Sequence, residues 1–394
     1  MTVKVTKPAI NVREELADLR KPTGIAGEAM LRAETPQEQF QLIGAGRRNL
    51  IINGAMQVAQ RGASETGVNT GGYYTCDRME INISSLGTYT VTQEADAPEG
   101  FVNSFKVDCT TADASPSSSN YVFFTHKIEG QNLQHLKKGT ANALPVTLSF
   151  WVKSNMTGTY QFNARDNDNV RYISASYTIN VADTWEYKTL LIAGDTTGAP
   201  DNDANESLKL EWWLDSGSNF NSGSLNTSWT AASNANRNVG TTVNIGDSTS
   251  NYWQLTGVQL ELGKVATPFE HRSYGEELAA CQRYYWRAVD VPSNTGNNRY
   301  GFYDASPYQT SPTVYGVLKF PVRMRAAPSF TVTNLSSFRM RYGNDLTPTS
   351  YNLHGTMNEF YAMPTFVAPT NIAAGRHGWV EAMANATASF DAEL

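Results

Sequence analysis

The sequence predicts a mainly β protein whose largest part is an antiparallel sandwich of two sheets. Aromatic residues make up 11% of the 394 residues and charged residues only 17%, while Asn, Thr, Ser and Gly crowd the middle of the chain. Between residues 49 and 262, about ten segments alternate or run apolar, and Gly, Asn, Asp or Pro separates most of them. Because no helical pattern interrupts them and no coil-length repeat indicates a β-helix, two packed antiparallel sheets are favoured.

The first part of the chain, residues 1–48, is predicted to contain two short helices. In the first, Val12, Leu16 and Leu19 recur at helical spacing between acidic residues. The second begins at a capping-box pattern in "ETPQEQFQLIG" and contains Phe40. So little apolar surface cannot form a core of its own, so we expect this segment to dock on the rest of the chain, on sister copies or on another protein.

The sandwich body is placed at residues 49–270, and a short connector helix follows at 271–286. The stretch "GVQLELGKVATPFEHRSYGEELAACQRYY" begins as an alternating strand and turns at "TPFE". It then restarts as a helix whose capping box is formed by Ser273 and Glu276. Residues 287–394 are predicted to form a smaller, β-rich C-terminal domain with many loops.

Charge and cysteine content exclude several classes of protein. The net charge of −6 gives no electrostatic basis for binding nucleic acid or an anionic membrane. An 18-residue apolar run is missing, so membrane insertion is not expected. Cys76, Cys109 and Cys281 are widely spaced and form no CxxC pair, which favours free buried thiols over disulfides or a zinc site.

No catalytic residue is predicted, because the sequence holds no HExxH, no nucleophile elbow and no phosphate-binding glycine loop. Two acidic loops, with Asp166 and Asp168 in one and Asp201 and Asp203 in the other, are the only visible source of a carboxylate pair. Solvated turns are the favoured interpretation of both loops. No metal or other cofactor is predicted, although "DNDANE" begins like a calcium loop and a structural Ca²⁺ stays open.

Aromatic side chains are candidates for a binding surface, although core packing is the commoner role of any one of them. Adjacent residues of a strand point to opposite faces. We therefore expect one of Trp212 and Trp213 to lie in the core and the other to be exposed or at a subunit contact.

The candidate binding residues lie in the C-terminal domain. Tyr303 and Tyr308 fall in or beside a loop, and "NIAAGRHGWVEA" places Arg376, His377 and Trp379 between glycines. Exposed arginine and aromatic side chains in a rigid loop are typical of a binding tip. These five residues are the predicted receptor-binding set.

Several stretches together resemble one family. In order, "RRNLIINGAMQVAQRG", "YTCDRM", "LSFWVKS" and "GVQLELGKVATPFEHRSYGEELAACQRYY" resemble the jelly-roll module of bacteriophage tail-fibre and receptor-binding proteins. The N-terminal "INVREELADLRKPTGIAGEAMLRAETPQEQF" and the closing "FPVRMRAAP" and "FDAEL" are similar to the same class, so the resemblance covers nearly the full chain. The matching motifs are structural, and no catalytic residue is carried over.

The resemblance implies a homotrimeric virion protein made in the host cytoplasm. Its N-terminal segment, through the four apolar residues named above, would oligomerise and anchor the fibre to other tail proteins such as an adaptor, nozzle or baseplate. Its jelly-roll body would carry a distal domain that meets a host surface glycan, with lipopolysaccharide as the expected receptor. Two alternatives stay open: a tailspike-like enzyme that degrades polysaccharide, and a fibre attached to the head.

Overall fold

The computed structural model describes residues 48–293, 299–355 and 358–394 together with three single residues before them, Met30, Arg32 and Gln39. Outside the described residues lie the apolar residues predicted for the N-terminal segment: Val12, Leu16, Leu19 and Phe40.

The sandwich is built from eleven strands within residues 48–293. They are β1 (Ser64–Tyr73), β2 (Glu80–Glu94), β3 (Ser104–Thr111), β4 (Tyr121–Glu129), β5 (Val146–Ser154), β6 (Gly158–Asp166), β7 (Arg171–Ile179), β8 (Glu186–Ile192), β9 (Glu206–Ser216), β10 (Thr230–Ala231) and β11 (Tyr252–Leu262). All neighbouring strands pair antiparallel, in the order β10-β7-β6-β9-β4-β2-β3-β11-β5-β8, with β1 also on β2. The four 3₁₀ turns of this part are Gly130–Asn132, Gln134–Leu136, Asn234–Asn236 and Ile245–Asp247.

One long strand, β2, passes from one sheet of the sandwich to the other. Its first half pairs with β4 and its second half with β3. Ser85 and Gly87 between the halves have φ of 49° and 72°, a left-handed conformation that glycine adopts without strain. At this corner β2 bends, so the continuous order of hydrogen-bonded strands is folded into two packed sheets. The sequence predicted two separate strands here, and it missed the polar, glycine-containing β1.

The core of the sandwich is an aromatic layer between the two sheets. The Phe124 ring of β4 lies 4.9 Å from Phe105 and 5.6 Å from Trp253 of the opposite sheet, measured between ring centroids. Trp212 of β9 faces the same layer and lies 5.8 Å from Phe150 of β5. These side chains are fully buried, which fits the alternation seen in their strands.

The prediction for Trp213 is wrong, because its side chain is as buried as that of Trp212. It points to the outer face of its sheet, where the chain's own segment 217–238 covers it. Phe220 of that segment packs 5.3 Å from the Trp213 ring, and the Arg237 guanidinium lies 4.6 Å from it. Arg237 also pairs with the buried Glu211 at 2.7 Å, so this face of the sandwich is closed by internal contacts.

A single helix, α1 (Tyr274–Gln282), follows the sandwich inside the predicted connector. Its capping box is formed as expected: the Glu276 N–H donates to the Ser273 hydroxyl, and the Ser273 N–H donates to the Glu276 carboxylate. The helix packs through Cys281 on Ile52 and Val58, which belong to the segment that precedes the first strand.

The segment 48–62 and the stretch 263–286 interlock, and we call this region the joint, together with residues 76–79, which bond to the segment 48–62. The Glu270 carboxylate accepts from the main-chain N–H groups of Arg48 and Asn49, at 3.1 and 2.8 Å. Arg272 donates back to the carbonyls of Asn49 and Ile51. The first and the last of the stretches that resemble the jelly-roll module therefore form one bonded unit.

The end of the chain returns to the joint. Ala392 N–H donates to the Tyr284 carbonyl at 2.7 Å, and Lys127 donates to the Leu394 main-chain oxygen at 2.6 Å. The Glu393 carboxylate pairs with Arg78, whose side chain is fully buried. These contacts fasten the C-terminal unit to the sandwich.

The C-terminal unit is built from short strands. They are β12 (Tyr285–Asp290), β13 (Tyr300–Ala305), β14 (Ser311–Tyr315), β15 (Leu318–Lys319), β16 (Ser329–Thr333), β17 (Phe338–Arg341), β18 (Asp345–Leu346), β19 (Ser350–Leu353), β20 (Tyr361–Ala362), β21 (Pro364–Ile372), β22 (Gly378–Ala382) and β23 (Thr387–Asp391), with a 3₁₀ turn at Leu335–Ser337. They pair as β12-β23-β16, β13-β22-β17-β18, β14-β21-β19 and β15-β20. The described part of this unit has a core of its own around Phe338, Phe366 and Val380.

The predicted fold class, mainly β with an antiparallel jelly-roll sandwich, a linker helix and a β-rich C-terminal unit, is confirmed. All three cysteines are buried and unpaired, also as expected. Within the described residues, the structure contains no helix of the length and apolar character needed to cross a membrane.

Candidate functional site

The candidate site is centred on Trp379, on the solvent face of the four-stranded sheet of the C-terminal unit. Trp379 lies on the central strand β22, directly opposite Asp304 of β13 and Arg341 of β17. Directly paired residues of antiparallel strands share a face, so the three side chains form a row. The indole is 45% exposed, although the strand beneath it is buried at Val380.

A network of charged side chains bonds to the indole of Trp379. The Trp379 Nε1–H donates to Glu381 Oε1 at 2.7 Å. Glu381 in turn accepts from Arg299 at 3.1 Å, and Arg299 also pairs with Asp345 at 2.7 Å. Arg299, together with a second hydrogen bond from Arg341, lowers the pKa of the Asp345 carboxyl. The indole is therefore held by one hydrogen bond whose acceptor, Glu381, is itself held by an ion pair with Arg299.

Three loops come together beside Trp379 and its charged neighbours. We call residues 306–310, 343–344 and 373–377 the loop cluster. The Ala374 N–H donates to the Thr310 hydroxyl at 3.3 Å, which joins the first and third loops. The Arg376 guanidinium lies against Gly343, where an added Cβ would sit 2.3 Å from Nη2. Gly343 has φ of +94°, a left-handed conformation that favours glycine in this turn.

Four of the five predicted binding residues belong to this region. Tyr308 is 91% exposed on the first loop, and Arg376 and His377 are exposed on the third. Trp379 follows His377 by two residues at the start of β22. Sequence reasoning thus found residues that the fold brings to neighbouring loops and one strand.

The assignment of Tyr303 to the binding surface is corrected. Tyr303 is only 8% exposed and belongs to the core of the C-terminal unit. Its hydroxyl donates to the Pro364 carbonyl at 2.9 Å. Burial raises the pKa of this phenol well above its usual range. In β13 it is the exposed neighbour Asp304, not Tyr303, that shares a face with Trp379.

Sequence reasoning missed the charged residues around the indole, namely Arg299, Asp304, Arg341, Asp345 and Glu381. Alternation within "FRMRYG" and "GWVEA" could have placed Arg341 and Glu381 on solvent faces. The proximity of Arg341 to Trp379 depends on strand order, which alternation does not reveal. An indole face with carboxylate and guanidinium groups beside it can stack on the apolar side of a sugar ring and hydrogen-bond to its hydroxyls.

The acidic loops of the sandwich are occupied by internal bonds. Asp166 is buried and accepts from Lys138 Nζ at 2.7 Å. Asp168 accepts from the Asp201 N–H at 2.9 Å, so the two predicted loops do meet. Asp203 accepts from the Asn205 N–H at 2.9 Å. These bonds hold the loops in their closed conformation. None of the described residues forms a group of three or more His, Cys, Asp or Glu side chains that could hold a metal ion.

The sequence matches no family model and no curated protein. Among solved structures, the chain is similar to the enzymatically active domain of tailspike protein 4 of bacteriophage CBA120, with 12% identity and a TM-score of 0.29. The match covers 55% of this chain and 21% of that chain, so it spans about a fifth of the tailspike structure.

Binding modules are also among the similar structures. One is a putative sugar-binding protein from Bacteroides thetaiotaomicron, with 12% identity, a TM-score of 0.28 and coverage of 55% of this chain and 100% of that one. Another is the N-terminal cellulose-binding domain of Cellulomonas fimi β-1,4-glucanase C, with 11% identity, a TM-score of 0.24 and coverage of 54% and 100%. Similarity at these values bears on neither the ligand nor the activity of this chain.

Proposed function

We propose that this chain is a bacteriophage tail fibre, a structural virion protein that attaches the phage to a glycan of the bacterial surface. The observation that carries the proposal is the exposed, rigidly held set formed by Trp379 and the loop cluster. Lipopolysaccharide is the proposed receptor, and the fibre is proposed to be a homotrimer anchored to the tail through its N-terminal segment.

Two features of the molecule support this proposal. Two of the stretches that resemble tail-fibre proteins form the joint, where a fixed angle between body and tip serves a fibre. The exposed aromatic and charged side chains lie beyond the joint, on loops and on strands in which the adjacent residues are buried. A rigid scaffold that carries variable exposed loops is a common arrangement for recognition.

Binding of purified host lipopolysaccharide by surface plasmon resonance tests the site. We expect Trp379→Ala and Arg376→Gln each to weaken binding by about tenfold or more, since such side chains dominate recognition sites. Tyr274→Ala is the matched control, because Tyr274 is 58% exposed but lies on α1. Equal loss with Tyr274→Ala, or no loss with the first two variants, would contradict the proposed surface.

The protein is proposed to bind the glycan without cleaving it. Incubation with host polysaccharide should release no new reducing ends, since Asp166 and Asp168 are committed to loop bonds. Release of reducing ends that Asp168→Asn abolishes would instead establish the tailspike-like alternative.

The proposed anchor and trimer have separate tests. Deletion of residues 1–47 keeps Arg48, whose N–H bonds to Glu270, so we expect a folded body that fails to join virions. Light scattering of the full chain should give three times the mass of one chain, and a stable monomer would exclude the trimer.

A further inference from the structure

A cleft of about 620 Å³ lies where the sandwich, α1 and the C-terminal unit meet, on different residues from the loop cluster. The sandwich contributes Gln131 and Asn132, and α1 contributes Ala280. The C-terminal unit contributes Arg323 and Arg325. The volume falls within the roughly 300–1,000 Å³ of small-molecule sites.

The cleft is rich in guanidinium groups. Its lining contains four arginines but one carboxylate, that of Glu359. The positive charges of two of these arginines are balanced by glutamates. Arg283 forms a bidentate pair with Glu129 at 2.9 and 2.8 Å, and Arg272 pairs with two glutamates at 3.3 and 3.5 Å. The remaining two, Arg323 and Arg325, are contributed by the C-terminal unit.

Arg325 is an arginine whose positive charge is not balanced by a carboxylate. Its Nε, Nη1 and Nη2 donate to the main-chain carbonyls of Ala392, Ala204 and Glu393, at 2.7, 3.0 and 3.0 Å. A guanidinium has five N–H donors, so two of them remain. Within the described residues, no carboxylate lies within ion-pair distance of Arg325. Its side chain is half-buried, where an unmatched charge interacts strongly with an anion.

Arg323 completes the pair. Its side chain is 61% exposed, and its nearest carboxylate, Glu359, is 3.9 Å away. The guanidinium lies 5.0 Å from the Phe360 ring, a contact that leaves its positive charge unbalanced. Two arginines with free donors on one wall match the planar oxygens of a carboxylate or phosphate.

We propose that this cleft is a second binding site, which takes a carboxylate or phosphate group carried by a sugar, with Arg323 and Arg325 as its ligands. Gln131 and Asn132 also line the cleft, and their side-chain amides have donors and acceptors that can bond to sugar hydroxyls. Because the walls belong to different parts of the chain, a bound anion also ties the C-terminal unit to the sandwich. The site is independent of the glycan recognition proposed for Trp379.

Isothermal titration calorimetry of the full chain with D-glucuronate and with inorganic phosphate tests the site, with D-glucose as the neutral control. We expect saturable binding of one or both anions at a single site, weakened by added NaCl, and no binding of glucose. Arg323→Gln should weaken anion binding by about tenfold, as expected for a charge-assisted hydrogen bond. The unfolding temperature should rise with the concentration of the anion that binds.

Controls separate this site from the fold and from the first proposal. Arg325→Gln should abolish binding, but because it also removes three carbonyl contacts, Arg323→Gln carries the test if that variant is unstable. Arg339→Gln is the matched control, since Arg339 also donates to main-chain carbonyls but lies outside the cleft. Trp379→Ala should leave anion binding unchanged. Absence of binding by both anions, or equal loss with Arg339→Gln, would overturn the proposal.

Discussion

The joint and the loop cluster use the same residue types in opposite ways. At the joint, the Arg78 side chain is fully buried, pairs with Glu393 and stacks 3.5 Å from the Tyr284 ring. In the loop cluster, Arg376 is exposed, and Tyr308 is 91% exposed. Arginine and tyrosine are thus structural in one place and available to a ligand in the other.

This difference explains which part of the sequence is recognisable. A buried ion pair tolerates few substitutions, because removing one partner leaves an unpaired charge in a water-poor site. An exposed loop can change its side chains without loss of fold. Several of the recognisable stretches therefore lie at the joint, while the residues proposed to bind a receptor lie outside all of them.

The largest effect is expected from Glu393→Ala, which leaves the buried Arg78 without its carboxylate partner. Such a loss typically costs about 3–5 kcal/mol, and we expect the free energy of unfolding in urea to fall by that amount. Hydrogen exchange should show opening at Ala392, whose N–H bonds to the Tyr284 carbonyl of the joint. Glu65→Ala, at an exposed position of β1, is the control. A loss below about 1 kcal/mol would mean that the joint is not the structural region we describe.

A pH effect is expected from Asp77, also at the joint. Burial raises its pKa to about 6, and the Arg61 charge lowers it only in part. Between about pH 4 and 6 the folded state therefore holds a proton that the unfolded state has lost, so stability falls as pH rises through this window. The difference is on the order of 3 kcal/mol for two pKa units.

Urea denaturation of Asp77→Asn across this pH range checks the prediction. The variant cannot ionise at this position, so its free energy of unfolding should fall less between pH 4 and 6 than that of the native chain. Asp290→Asn, at an exposed carboxylate, should keep the native slope. Identical slopes for all three proteins would show that Asp77 is ionised throughout the window.

A smaller effect is expected at the start of α1. Ser273→Ala removes the hydroxyl that accepts from the Glu276 N–H, and loss of such a cap costs about 1 kcal/mol. Ser273→Asp keeps an acceptor there and should restore most of the stability. If Ala and Asp behave alike in urea denaturation, packing rather than capping fixes the helix.

Much of this architecture could be predicted from the sequence, for identifiable reasons. Alternation located nearly every strand of the sandwich, and the Ser273–Glu276 pattern located the helix. The missed strand β1 has a single buried residue, Val68, so it carries no periodic signal. The corner in β2 looked like a turn because Gly87 does interrupt the apolar pattern.

The site was predicted less completely because it depends on pairings between distant segments. Trp379 and Arg376 were found from their loop, but Asp304 and Arg341 reach the indole only through strand order. Tyr303 was misplaced because the sequence of its strand does not show which of the two faces packs into the core. The grouping of arginines in the cleft could not be predicted from the sequence either, since the cleft forms only when the end of the chain packs against the joint.

The smallest effect on stability is expected in the loop cluster, where it separates recognition from structure. Tyr308→Ala and Arg376→Gln should change the free energy of unfolding by less than about 0.5 kcal/mol, as for other exposed residues. Tyr342→Phe, which removes the buried hydrogen bond to the Ala305 carbonyl, should cost about 1 kcal/mol in the same assay. A loss of that size from Tyr308→Ala would place its ring in a structural contact between copies. Unchanged stability together with lost lipopolysaccharide binding would assign the loop to the receptor.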